Sequence, residues 1–272
     1  MLGCAARRGR GAPGAGFAAL ALALASSASA SASAPSQWLA YFPSQVGHTC
    51  VESLTLRSGS ETIVSTGTQR LVSLRRSGAV TRIAETVVTV VKETPPPSTP
   101  LAPLRQTLRY TFLADGSIAT APGAYSNALW RYTYAGAEVY PSVAALRAGD
   151  TNTSSVALAM TGATAATESS IAPLLLSGHR ALDITFHYQV GLAPPKSEIT
   201  TPAGTFSNLL GVEFHITGVS VSDATKKGAA SLRPLLSALG SEISATTYFA
   251  PGVGAVATTT LGHTILLDRC SG

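Results

Sequence analysis

Arg180 to Val190 reads RALDITFHYQV. Leu182, Ile184, Phe186, Tyr188 and Val190 share one parity. His179, Asp183, Thr185, His187 and Gln189 share the other. A period of two sustained over this length predicts a β-strand with one buried and one wet face. Downstream, Lys196 to Thr201 and Thr205 to Val221 flank the turn in Thr201 to Phe206, TPAGTF. Pro202 presets φ at the second turn position, and Gly204 permits a left-handed exit. Thr247 to Gly254, TYFAPGVG, likewise joins the strand-like run Ile243 to Ala250 to the run Val253 to Leu261. His263 to Asp268 follows as a last strand.

The same grammar runs upstream. Thr49 to Arg57, Glu61 to Leu74 and Ala79 to Lys92 are strand-like runs separated by Ser58-Gly59-Ser60 and Ser77-Gly78, at hairpin spacing. In Leu104 to Leu113, Leu104, Leu108, Tyr110 and Phe112 oppose Arg105, Thr107, Arg109 and Thr111, with Gln106 the exception on the apolar side. Asp115-Gly116 signals another hairpin. Trp130 to Tyr134 and Thr151 to Met160 are further strand candidates, and Tyr140 to Asp150 is a connector with room for one helical turn. The expectation is about a dozen strands and one or two short helices. That is a mainly β chain.

The first 34 residues stand apart. Arg7, Arg8 and Arg10 precede the apolar run Gly16 to Leu24, and Ala25 to Ala34 is small throughout. This is the layout of a secretory signal peptide. The alternative, an uncleaved anchor, needs about 20 apolar residues, and the run is half that. Cys4 precedes the apolar run, so it is not a lipidation cysteine. The expected organisation is a signal peptide at 1–34 and a single antiparallel β domain at 35–272, which the resemblance given below implies is curved. The product is expected to be exported, to the cell envelope or beyond, with no stable transmembrane span.

Without the leader, the chain keeps 16 basic and 14 acidic residues, a net +2. The basic pairs Arg75–Arg76 and Lys226–Lys227 do not make the patch that nucleic acid requires, so no nucleic-acid partner is expected. Cys50 and Cys270 remain near the two ends. In an oxidising compartment an even pair reads as a disulfide; the alternative is two separate buried thiols. A bridge requires Cα atoms within about 7 Å, which brings the first and last strands together.

Catalytic signatures are absent: no HExxH, GxSxG, phosphate-binding Gly loop or CxxC occurs. His179, Asp183 and His187 are spaced roughly 13 Å apart along a strand, too far to share one ion. Glu213 and His215, two residues apart on a later strand, could contribute jointly with a residue of a neighbouring strand; the alternative is an ordinary solvated sheet face. No enzyme, cofactor or metal site is expected. Thr94 to Pro103, TPPPSTPLAP, holds five prolines. It reads as a stiff loop, or as the contact of a protein-interaction module of the envelope.

Three stretches carry a resemblance: Tyr41 to Gly47 (YFPSQVG), TPAGTF, and Tyr248 to Gly254 (YFAPGVG). In them the chain resembles a group of uncharacterised exported bacterial proteins that is similar to the lipoprotein-localisation-factor superfamily. The resemblance implies a strongly curved antiparallel sheet, a half-barrel, with short helices or a lid loop across its mouth. It implies no catalytic residue. A concave sheet face must be filled by side chains, a lid or a ligand. Ser222 to Ser241 is the lid candidate. Leu232, Leu235, Leu236 and Leu239 are its ligand-binding candidates, if the interior takes an acyl chain; otherwise they complete the core. The partner expected on this reading is a lipid or other apolar small molecule.

Overall fold

The computed structural model describes residues 36–58, 60–96, 102–126, 130–162, 181–223, 244–260 and 262–272. The leader and the leucines Leu232, Leu235, Leu236 and Leu239 lie outside them, as do residues 97–101 of the proline stretch. A 3-10 turn, Gln37–Tyr41, leads into β1 (Thr49–Ser58), β2 (Glu61–Ser77), β3 (Val80–Thr94), β4 (Leu104–Phe112) and β5 (Ile118–Pro122). β6 (Tyr125–Ser126), β7 (Trp130–Gly136), β8 (Glu138–Tyr140), helix α1 (Val143–Ala148), β9 (Asn152–Gly162) and β10 (Ala181–Leu192) follow. β11 (Glu198–Thr201), β12 (Gly204–Ser207), β13 (Leu210–Asp223), β14 (Ser244–Ala250), β15 (Gly254–Thr260) and β16 (His263–Ser271) complete the chain.

Fourteen of these strands form one sheet in the order β6-β7-β9-β10-β13-β14-β15-β16-β1-β2-β3-β4-β5-β8. β11 and β12 make a separate hairpin. The large sheet is antiparallel and curls until it is nearly closed into a barrel. Its two ends belong to one stretch of chain. β7 pairs with β9 at one end, and β8, two residues on, pairs with β5 at the other. Gly136 makes the crossing with φ +86°. A Cβ there would lie 2.7 Å from the Ser155 carbonyl oxygen, so only glycine fits. Polar side chains bind the edges further: Ser154 Oγ accepts from the Val139 N–H at 3.2 Å, and Asn152 Nδ2 donates to the Val139 carbonyl at 3.0 Å.

The opposite side of the sheet is joined by β1 and β16. Cys50 faces Cys270 in their antiparallel register, and the two are bonded with Cα atoms 4.1 Å apart. The pairing of the first and last strands that a bridge requires is therefore present.

Each turn motif is anchored as well as bent. In TPAGTF, the Ala203 N–H donates to the Leu267 carbonyl at 3.2 Å, which docks the small hairpin on β16. In TYFAPGVG, Gly252 has φ +74° and its N–H donates to the Ala40 carbonyl at 2.7 Å. That bond fixes the 3-10 turn against the β14–β15 hairpin. The run expected from Thr205 to Val221 is broken at Asn208, whose φ is +55°, so β12 and β13 are separate strands. The split of β7 from β8 likewise raises the strand number above the dozen expected.

Alternation along β10 is as read. Ile184, Tyr188 and Val190 are buried, and Asp183 and His187 are exposed. The core fills from the concave side. Trp38 and Tyr41 from the 3-10 turn, and Phe42 just after it, pack with Leu71, Ile83 and Phe112 of the N-terminal strands and with Tyr188, Val190 and Val212 of the C-terminal strands.

Replacing Cys270 by serine should lower stability. The closed loop spans 220 residues, and chain entropy sets roughly 5 kcal/mol as the upper figure for such a bridge, with about 2–5 kcal/mol typical of native disulfides. Guanidinium unfolding of wild type and C270S, both otherwise unmodified, measures it. An unchanged midpoint would show that the β1–β16 ladder holds without the covalent link.

Candidate functional site

His179 lies outside the described residues; the rest of the polar face singled out in the sequence, with Asp183 and His187 exposed, is a solvated surface. His215 Nε2 stands 3.2 Å from Glu213 Oε1, with both side chains well exposed. Gln189 pairs across the ladder with His215, and Gly191 with Glu213. His187 lies opposite Gly218. Nothing in this geometry concentrates ligands. A second group, His48, Cys50 and Cys270, brings its ligand atoms within 4.8 Å of one another. Both sulfurs are committed to the disulfide, so neither is a thiolate that could bind a metal.

The concave face holds the better site. A cavity of about 280 Å³ opens between the N-terminal strands, the 3-10 turn and the β14–β15 hairpin. Small-molecule sites run from roughly 300 to 1,000 Å³, so this one is at the small end. Its walls are aromatic: Trp38, Phe42, Tyr110, Tyr140 and Phe249 all line it. The rings hold each other edge to face. Trp38 meets Phe249 at 5.5 Å and Tyr140 at 5.9 Å between centroids, and Phe42 meets Tyr110 at 4.9 Å. Such pairs add about 0.5–1.5 kcal/mol each beyond their buried area. The Trp38 indole N–H donates to the Pro141 carbonyl at 2.8 Å, which satisfies its one polar atom and sets the ring's orientation.

Three carboxyl groups enter the same space: Glu52 from β1, Glu85 from β3 and Glu138 from β8. Glu85 is 6% exposed. Each has a neutral donor beside it. Gln69 hydrogen-bonds Glu52, and the Tyr110 hydroxyl hydrogen-bonds Glu85. The Tyr140 hydroxyl donates to Glu138 Oε2 at 3.0 Å. No lysine or arginine is among the described residues that line the cavity. Burial therefore dominates. It pushes the Glu52 and Glu85 carboxyls up to about 7, against which the Gln69 and Tyr110 bonds act only weakly, and the Glu85 charge adds to the rise at Glu52. Glu138 is raised too, again chiefly by burial. The Tyr110 and Tyr140 phenols are held well above their usual range, first by burial and then by the neighbouring carboxylates.

The sequence reading overlooked these acids, although a signal was present. Glu85 shares parity with Thr81 and Ile83, and all three are buried. Glu52 shares parity with Cys50. An acid at an inward position of a half-buried strand is the pattern that marks such a site.

Nothing among family profiles or curated proteins matches the chain. The solved structure of a candidate lipoprotein from Parabacteroides distasonis ATCC 8503 aligns with a TM-score of 0.50 at 14% identity, covering 85% of this chain and 98% of that one. A candidate exported protein with a YmcC-like fold from Bacteroides fragilis NCTC 9343 aligns over the same shares, at 12% identity and a TM-score of 0.47. At such identity the first likeness is one of fold.

The raised carboxyls make stability depend on pH in a defined direction. Between about 4.5 and 7 the folded chain keeps Glu52 and Glu85 protonated while the unfolded chain ionises them. The folded state binds more protons there, so stability falls as pH rises through that window and levels off above it. Each group contributes at most roughly 3 kcal/mol. Urea unfolding should show higher stability at pH 5 than at pH 8. Glu85→Gln should flatten that dependence and stabilise the protein at pH 8. A midpoint that rises from pH 5 to pH 8 in the wild type would contradict the assignment.

Proposed function

We propose that the chain is an exported, non-enzymatic binding protein that holds a small apolar or amphiphilic molecule in the concave face of its sheet. The observation that carries the reading is the aromatic cavity of about 280 Å³ behind Trp38, Phe42 and Phe249. An apolar wall of this kind supplies affinity by area, and a few convergent polar groups orient the ligand. The leader-like N-terminus and the resemblance to the lipoprotein-localisation-factor superfamily support a lipid as the ligand class. The cavity's size suits one short chain or the end of a longer one. The leucines Leu232, Leu235, Leu236 and Leu239 remain the lid proposed for that ligand.

Protein purified from its own host should carry the ligand as a discrete mass increment in native mass spectrometry, released on denaturation and extractable into organic solvent. The neutral dye N-phenyl-1-naphthylamine should bind the emptied protein with one-to-one stoichiometry. Ala255→Phe, which projects a ring into the cavity from β15, should abolish that signal while the protein stays folded by circular dichroism. Undiminished dye binding by the folded variant would remove the cavity from the reading.

A further inference from the structure

The carboxyl groups distinguish this cavity from a plain greasy pocket. A lining for a neutral acyl chain needs no buried acid, and burying one without a cation is costly. Here Glu52 and Glu85 face the same space and feel one another electrostatically. The titratable and amide groups that line the cavity around this pair include no lysine or arginine among the described residues. They are Gln69 on β2, Tyr110 on β4, Glu138 and Tyr140 on β8, and His48 just before β1. Glu138 also bears on the Tyr188 phenol of β10.

We propose that the cavity binds an organic amine, primary or quaternary, with its cationic end against Glu52 and Glu85 and its carbon frame between Trp38, Phe42, Tyr110 and Phe249. The inference rests on the cavity being a ligand site, as argued above, and adds the charge of the ligand. The ligand's ammonium supplies the positive counter-charge to these carboxylates that the described lining lacks. Aromatic faces attract an ammonium through their quadrupoles, by about 0.5–2 kcal/mol each when desolvated. A hard metal ion fits less well, because it needs six or more oxygens at roughly 2.0–2.6 Å, and the acids here are interleaved with rings.

Binding should couple to protons. A cation favours the ionised carboxylates, so affinity should rise with pH as Glu52 and Glu85 give up their protons. If the competent state is the ionised one, apparent affinity scales with its population.

Calorimetric titration of the full chain with octyltrimethylammonium, octylamine, octanol and octanoate, at pH 5.5 and 8, tests this. The two cationic probes should bind at pH 8 on the order of tenfold more tightly than at pH 5.5. Octanol should bind more weakly and without pH dependence, and octanoate weakest at pH 8. The isosteric variant Glu52→Gln/Glu85→Gln should bring the cations to the level of octanol and remove their pH dependence. If octanol and octanoate bind as tightly as the cations at both pH values, the amine inference is wrong and the cavity reading stands. If none of the four probes binds, the cavity reading fails as well.

Discussion

The pairing of β1 with β16 is the constraint on which the rest depends. Strands β2 to β5 and β8 lie on one side of that pair in the sheet, and β6, β7, β9, β10 and β13 to β15 lie on the other. Without it the chain would offer two shorter sheets with two raw edges, each a hazard for strand addition. With it, the fourteen strands form one surface that curls toward the β7–β8 crossing. The Cys50–Cys270 bond sits within this ladder, in register, and removes a loop of 220 residues from the unfolded chain's freedom.

Curling creates an inside, and the inside must be filled. Part of the filling comes from the 3-10 turn, Gln37–Tyr41, whose Trp38 is 1% exposed. That turn is held by the hydrogen bond from Gly252 in the APGVG bend. The two distinctive turn motifs thus act at a distance from their own hairpins. TPAGTF ties its hairpin to β16, and TYFAPGVG ties the aromatic plug to β14 and β15. Their prolines and glycines are structural, and the function is sought in the space they help to enclose.

That space is not uniformly apolar. Three carboxyls share it with five aromatic rings, and two of them titrate near neutral pH. A core chosen only for stability would place aliphatic side chains at these positions. Stability given up at a concave, partly open face is a common mark of a binding site, and this consideration gives the proposed ligand reading its weight.

Much of the architecture was legible in order. The parity of Arg180 to Val190, the hairpin glycines and the composition specified antiparallel strands, because a period of two follows from the backbone alone. The even pair of cysteines indicated that the chain's two ends meet. What the sequence could not determine is which inward positions share a cavity. Glu52, Glu85 and Glu138 lie on three strands, separated by 33 and 53 residues of chain. Trp38 and Phe249 are more than 200 residues apart. Register, the bulge between Val51 and Glu52 and the crossing at Gly136 decide their meeting. These are long-range features, set by the closing of the sheet and not by any local run. The sequence by itself determined most of the strands and turns, and its cysteine pair pointed to a meeting of the ends. Only the tertiary structure decided that three acids and an aromatic cluster face one another, because curvature is a property of the whole sheet.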